Sequence, residues 1–390
     1  MRATARSAPR SVVARAPVEL TGRRRSRWMQ VTAIVIGVRV AFFVVAYAAS
    51  WLTTTQGGTP EPFLDLWDNW DVRHFVEIAT YGYTDPRTDP NAAAFFPAFP
   101  LLIRALDWVG VQPVVGGMLI STAATIVAAG YLYRLAEDEA GGGAGRRAVL
   151  YLVLFPTAVF LVVPYSEALF LAGAVPAFYY VRRNRPLAAS IPAALAVATR
   201  AAGIFLVVGL VIEFLRRNRP MRRYLRTGGI ALGVAVSPLV AYGAYMARAE
   251  GNAFQFFIDQ REGWDRRLTW PWEALATTWE AAFGSRLEPN FQLAFMGELI
   301  GVAAGIVFVV WALARREWGY AVYMGGLLAA LMTSVWYLSV PRILLTFFPG
   351  LVLLAATTAR RPLRHEAVLV CFTALATLGL VVYTSGSWFY

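Results

Sequence analysis

Residues 187–215 read LAASIPAALAVATRAAGIFLVVGLVIEFL, an apolar run interrupted by Arg200 and, near its end, by Glu213. A bilayer core takes about 20 apolar residues per helix. As one helix the run is too long, and as two each half is short. The flanks decide between them. Arg182, Arg183 and Arg185 precede the run, and Arg216, Arg217 and Arg219 follow it. Short cytoplasmic loops collect arginine, so both flanks belong on the same side. An even number of crossings must separate them, and the chain turns near Thr199 and Arg200, at the outer face.

The same rule orients the rest of the chain. Further clusters are Arg23, Arg24, Arg25 and Arg27, then Arg146 and Arg147, then Arg222, Arg223 and Arg226, then Arg315 and Arg316, and finally Arg360, Arg361 and Arg364. Apolar stretches between them lie at about 29–52, 112–133, 148–163, 168–181, 187–199, 202–215, 227–247, 291–313, 320–338, 343–358 and 367–385. The expected fold is all-α, a polytopic membrane helix bundle of about eleven spans. Residues 1–27 form a basic cytoplasmic tail, and 28–390 a single membrane-embedded domain. The run from Trp28 to Leu52 is long enough to span, so it reads as an uncleaved first helix and not as a secretory signal.

Composition agrees. Of the 390 residues, 58% are hydrophobic and only 15% charged, with a mean hydropathy of +0.51, whereas soluble domains carry about 25% charged residues. The net charge of +12 raises the possibility of a nucleic-acid partner. The arginines sit in short runs between apolar stretches, as topology signals do, so no nucleic acid is expected. All 36 basic residues are arginine, which reads as a codon-composition effect. The lone Cys371 excludes an intramolecular disulfide and a thiolate metal site. With only His74 and His365 besides, no metal or cofactor is expected.

The outer loops then hold Phe63 to Pro100, Pro164 to Glu167, Thr199-Arg200, Arg248 to Asn290 and Ser339 to Arg342. Five segments far apart in sequence share one surface, the condition for a single site. Glu137, Asp138, Glu139 and Gly141-Gly142-Gly143 fall on the cytoplasmic side and read as solvated linker. Arg39, in the first span, reads as a packing residue or one that snorkels to lipid.

The first outer loop carries Trp67-Asp68-Asn69-Trp70-Asp71-Val72-Arg73-His74-Phe75. Phe75, Ile78, Ala79 and Tyr83 follow at helical spacing, with Arg73, Glu77 and Thr80 facing elsewhere, which predicts an interfacial amphipathic helix. Asp71 stands at its N-terminal end, where the helix dipole favours the ionised carboxylate. It is a candidate general base towards an acceptor hydroxyl, or simply a helix cap; Asp65 and Asp68 compete for the role. Ala94-Phe95-Phe96-Pro97-Ala98-Phe99-Pro100 follows. Two prolines three apart predict a rigid aromatic segment and no regular helix across them.

A phosphate near the membrane calls for fixed positive charge, and arginine binds it bidentately. Arg200 interrupts its apolar run at a cost of roughly 2.5–3.5 kcal/mol on insertion scales. It is therefore the first candidate to hold a lipid phosphate, or a turn residue reaching headgroups. Arg342, on the wrong side for a topology signal, is the second. Glu167 either caps its helix or bonds sugar hydroxyls. Gln260, Arg261 and Trp264, within Asp259 to Arg267, are candidate sugar contacts or parts of an ordinary interfacial helix.

These residues resemble the PIG-V-like mannosyltransferases, the family of GPI mannosyltransferase 2 and its bacterial relatives, among the multi-pass class-C (GT-C) glycosyltransferases. The resemblance rests on Trp70-Asp71-Val72-Arg73-His74-Phe75 with Gly82-Tyr83, on Phe95-Phe96-Pro97-Ala98-Phe99-Pro100-Leu101, on Pro164-Tyr165-Ser166-Glu167, on Thr199-Arg200 with Gly203, and on Pro341-Arg342. It runs from about Trp67 to Pro349 and departs from the family where Ile343 replaces the usual tyrosine. The resemblance implies transfer of mannose from a polyprenyl-phosphate donor to a glycolipid, glycan or protein acceptor, with inversion and no nucleotide sugar. Asp71 would be the base, with Trp70, Arg73, His74, Tyr165, Ser166, Glu167, Arg200 and Arg342 around substrate. The site would face outward from an integral membrane protein of a bacterial plasma membrane, with the N-terminus cytoplasmic. The rival classes are a lipid or small-molecule transporter or flippase, and a non-catalytic membrane scaffold. Mid-span charges are few, which counts against coupled transport.

Overall fold

The computed structural model describes residues 17–54, 58–217 and 225–387. Most of the expected basic tail therefore lies outside the described residues. Among those described the chain is helical, with one isolated bridge between Leu268 and Ser334. In chain order the helices are α1 (Pro17–Thr53), α2 (Asp71–Tyr81), α3 (Ala98–Asp107), α4 (Pro113–Ala140), α5 (Ala144–Val153), α6 (Glu167–Val181), α7 (Pro186–Thr199) and α8 (Gly203–Arg217). They continue with α9 (Leu225–Ala249), α10 (Gln255–Trp264), α11 (Pro271–Phe283), α12 (Pro289–Ala314), α13 (Trp318–Met332), α14 (Val340–Leu344), α15 (Phe348–Thr358) and α16 (Pro362–Thr384).

Proline largely sets where these helices begin. Pro113, Pro186, Pro271, Pro289 and Pro362 stand at helix starts, where the missing N–H has no intrahelical partner to lose. Five helices are long and apolar enough to cross a membrane, over Ser26–Thr53, Pro113–Ala140, Leu225–Ala249, Pro289–Ala314 and Pro362–Thr384. Four more, α6, α7, α13 and α15, are apolar but shorter.

The run that opened the sequence reading breaks at the expected place. Helix α7 ends at Thr199, Arg200 is extended at φ −154° and ψ 143°, and α8 starts at Gly203. Other expectations change. The stretch 148–163 is not one helix: α5 stops at Val153 and a short 3₁₀ turn follows at Ala158–Leu161. Pro156 disfavours helix in the residue before it and supplies no N–H. The carbonyls released by the break are taken up by Arg39, whose guanidinium donates to Leu161 O, to Val162 O at 3.2 Å and to Met118 O at 3.3 Å. Arg39 is thus a buried packing residue and does not reach for lipid. The stretch 343–358 likewise divides into α14 and α15, with Pro349 in the first turn of α15.

The prolines of the aromatic segment do not exclude a helix. Helix α3 begins directly after Pro97 and holds Pro100 in its first turn, where the lost N–H would have been unpaired anyway. The amphipathic helix is α2, which buries Val72, Phe75, Ile78 and Ala79.

Helix α6 is the centre of the bundle, buried along nearly its whole length and packed against α4, α7 and α8. Its contact with α7 is close because Gly173 has no side chain. A Cβ there would lie 2.5 Å from the Pro192 carbonyl oxygen, the small-residue approach by which apolar helices pack in lipid. At its C-terminal end Arg182 meets Glu139, reaches Glu213 at 3.1 Å and Glu317 at 2.6 Å, and lies over the Tyr320 ring at 3.9 Å. Glu139 is therefore locked to the bundle and is not part of a solvated linker. The candidate functional site lies at the other end of α6.

Candidate active site

Glu167 is the first residue of α6, fully buried. One of its oxygens, Oε1, accepts from both Arg200 and Arg342. Arg200 also donates to Ser166 Oγ at 3.2 Å. Arg342 passes the contact on: its Nη1 lies 2.6 Å from Asp71 Oδ2, and its guanidinium covers the rings of Tyr165 and Phe160 at 4.5 and 5.1 Å. Four charged side chains from four of the outer segments form one continuous chain, Arg200–Glu167–Arg342–Asp71.

Each member is held from behind. Asp71 opens α2 directly after Trp70, a non-glycine residue at φ +57°, a conformation that persists only where surroundings impose it. Here they do. The Asp71 backbone N–H donates to Tyr165 Oη at 3.1 Å, and the Tyr383 hydroxyl donates to the carbonyl of Asn69 at 3.1 Å. Arg342 lies on the short α14, whose first N–H groups are capped from outside the helix. Both oxygens of the buried Glu298 accept there, from Ser339 N and Val340 N, each at 2.7 Å. Thr157 Oγ1 adds a bond to Pro341 O at 3.0 Å.

Electrostatics fix the state of Asp71. Burial pushes its carboxyl up, but the charge and hydrogen bond of Arg342, with Arg200 behind, hold it below the usual carboxylate range. Asp71 is thus ionised at neutral pH. Among the described residues Oδ1 of Asp71 has no protein donor, and the side chain is 22% exposed. Glu167 has no exposure at all. Of the two carboxylates, only Asp71 can meet an incoming hydroxyl.

The other candidates divide. His74 stacks on Phe95, with centroids 4.7 Å apart, and meets Trp264 edge-on at 5.8 Å, so Trp264 and His74 share an aromatic wall. Trp70 is half-exposed beside Asp71. Arg73 turns away, paired with Glu77 at 2.6 Å and 75% exposed. Arg261 lies on the outer side of α10 in an open concavity of about 730 Å³ with Phe254, Phe257 and Arg267. Gln260 gives its carbonyl to Arg266 N at 3.1 Å. Asp259, whose carboxyl burial pushes up, accepts from Ala93 N and Gln255 Nε2, both at 2.8 Å, and so fastens α10 to the first outer loop. Sequence reasoning missed Tyr383, Glu298 and Arg266; only their tertiary neighbours distinguish them. Among the described residues no three His, Cys, Asp or Glu side chains gather as metal ligands would.

Residues 60–219 match the family model described as "Mannosyltransferase (PIG-V)". Over this stretch the chain is similar to the PIG-V mannosyltransferases. Asp71, Tyr165, Ser166, Glu167 and Arg200 lie within the matched part of the chain, and Arg266 and Arg342 beyond it. No curated protein matches. A solved structure, "Crystal Structure of ArnT from Cupriavidus metallidurans bound to Undecaprenyl phosphate", aligns over 91% of this chain and 78% of its own, with 15% identity and a TM-score of 0.45.

Proposed function

We propose that this protein transfers mannose from a polyprenyl-phosphate donor to an acceptor hydroxyl at the non-cytoplasmic face of the membrane. The observation that carries the proposal is the one open carboxylate oxygen, Asp71 Oδ1, at the exposed end of an otherwise closed ion-pair chain. In the reaction the acceptor oxygen forms a bond to the mannose C1 as the bond from C1 to the phosphate oxygen breaks. The acceptor proton passes to Asp71 and the polyprenyl monophosphate leaves. Attack opposite to the leaving group inverts C1. Arg342 keeps Asp71 ionised and aimed, and Glu167 holds Arg342 and Arg200 in register. Trp70, His74 and Trp264 supply aromatic faces for a sugar ring, with Gln260 and Arg261 further along α10.

About eleven crossings, a cytoplasmic N-terminus and an outer site complete the reading. They are supported by the arginine clusters, which lie at the ends of α6, α8 and α12 remote from Asp71. The acceptor class, whether glycolipid, glycan or protein, is the reaction's free variable. The test is transfer of labelled mannose from polyprenyl-phosphate-mannose in membranes holding the protein, with Asp71→Asn alongside. General-base removal is expected to lower turnover by about 10²- to 10⁴-fold. Normal turnover by Asp71→Asn overturns the base assignment, and no transfer by the wild-type chain overturns the activity.

A further inference from the structure

The chain of four charges is electrically closed: Asp71 and Glu167 balance Arg200 and Arg342. The arginines expected from sequence to hold a lipid phosphate are therefore each committed to a carboxylate. A fifth charge stands beside them. Arg266 lies just beyond α10, and its charge interacts with those of Arg342, Arg200, Asp71 and Glu298. Its Nε is buried without a hydrogen-bond partner, and among the described residues no carboxylate pairs with its guanidinium.

Its position is built into the fold. Asp265 turns the chain through φ +48°. The Arg266 N–H is tied back to Gln260 O at 3.1 Å, and Thr269 N donates to Thr333 O at 2.9 Å. Leu268 bridges Ser334, a few residues before Arg342. Arg266 as a whole is half-buried, but its Nε is shut off from water without a partner, and an unmet buried donor is destabilising. Burial, then repulsion from Arg342 and Arg200, bring its pKa down to about 10, so it stays charged at neutral pH. The fold holds one surplus positive charge within electrostatic reach of Asp71, and among the described residues its Nε has no partner.

We propose that Arg266, and not Arg200 or Arg342, is the residue that binds the phosphate of the polyprenyl-linked donor. This rests on the transferase reading above. A guanidinium suits a phosphate because it presents paired N–H donors to two oxygens. It also suits the reaction. The donor phosphodiester carries one negative charge, and when the C1–O bond breaks the electron pair stays on the phosphate oxygen, adding a second. A fixed cation next to that oxygen favours the charge-separated state over the bound donor.

The experiment compares the wild-type chain with Arg266→Gln and Arg266→Lys in nanodiscs. It measures binding of polyprenyl monophosphate, of the uncharged polyprenol and of inorganic phosphate. Losing a charged hydrogen-bond partner is expected to weaken monophosphate binding by about 10- to 100-fold in Arg266→Gln. Polyprenol binding should not change, and Arg266→Lys should recover part of the loss. The melting temperature of ligand-free Arg266→Gln should not fall, since no protein contact is lost; a merely structural arginine would lower it. Equal monophosphate affinity in Arg266→Gln overturns the inference. So does a fall in melting temperature with no recovery in Arg266→Lys. Inorganic phosphate binding as tightly as the polyprenyl ester would overturn the lipid-linked assignment. A wild-type chain that binds monophosphate through Arg266 yet transfers no mannose would leave this inference standing and sink the transferase reading.

Discussion

Substitution of Glu167 tests whether the ion-pair chain acts as one unit. Glu167→Gln keeps the shape and leaves an amide oxygen that can still accept from Arg200 and Arg342, so what is removed is charge. The remaining set, Asp71 with two arginines, then carries one uncompensated positive charge at a position with no exposure. Breaking a buried pair by removing one partner costs about 3–5 kcal/mol. Arg200 retains 19% side-chain exposure, and the amide keeps the hydrogen bonds, so the lower end applies, about 3 kcal/mol. Glu167→Ala, which also loses the hydrogen bonds, should reach about 5 kcal/mol. Arg200→Gln errs in the opposite sense, leaving two carboxylates on one arginine. The double variant Glu167→Gln with Arg200→Gln is neutral again, with the Asp71–Arg342 pair intact. It should therefore recover about 2–3 kcal/mol relative to the sum of the single effects. Denaturant unfolding in a fixed detergent, with all four proteins side by side, reads these differences. If the two single effects add to within about 0.5 kcal/mol, the charges are independent and the account of the cluster is wrong.

Other expectations follow from the same geometry. Because Asp71 is held below the usual carboxylate range chiefly by Arg342, its active ionised form persists as pH falls and is lost only below that range. A kcat/KM profile should have its acid limb there; a limb near neutrality would count against Asp71 as the base. Arg39→Leu orphans the carbonyl of Val162 and leaves that of Leu161 only a long bond from Thr125 Oγ1 at 3.4 Å, and should lower stability by roughly 1–3 kcal/mol. Unchanged unfolding would mean that water reaches the broken helix. A topology reporter fused after Tyr390 should read non-cytoplasmic, because about eleven crossings place the two ends on opposite sides. A cytoplasmic result would undo the crossing count.

Much of the fold is legible in the sequence where one dimension suffices. The break at Arg200 follows from counting arginine loops, and the start of α2 at Asp71 from hydrophobic spacing. The errors arise where a local rule meets a partner from far along the chain. Hydropathy makes 148–163 continuous, but Pro156 ends α5 there. Arg39, more than a hundred residues away, stabilises the break. Pro97 and Pro100 look like helix breakers until they fall at a helix start. Glu139 looks solvated until Arg182 and Tyr320 close over it. At the site, the residue types of Asp71, Glu167, Arg200 and Arg342 stand out because charge is scarce in so apolar a chain. That the arginines face carboxylates, and that Arg266 faces none, is a property of three-dimensional pairing alone.

Helix α6 carries a cluster of charges at each end, Glu167 between two arginines and Arg182 among three carboxylates. Sliding or tilting it would strip both sets at once, with almost every side chain between them in contact with neighbouring helices. It behaves as a fixed post. On the transferase reading proposed above, a lipid-linked donor would have to reach Asp71 around this post and not through it. Helix α9 packs chiefly against α7, burying Ala231, Ala235, Tyr242 and Met246, and the Tyr242 hydroxyl donates to Ala93 O of the first outer loop at 2.8 Å.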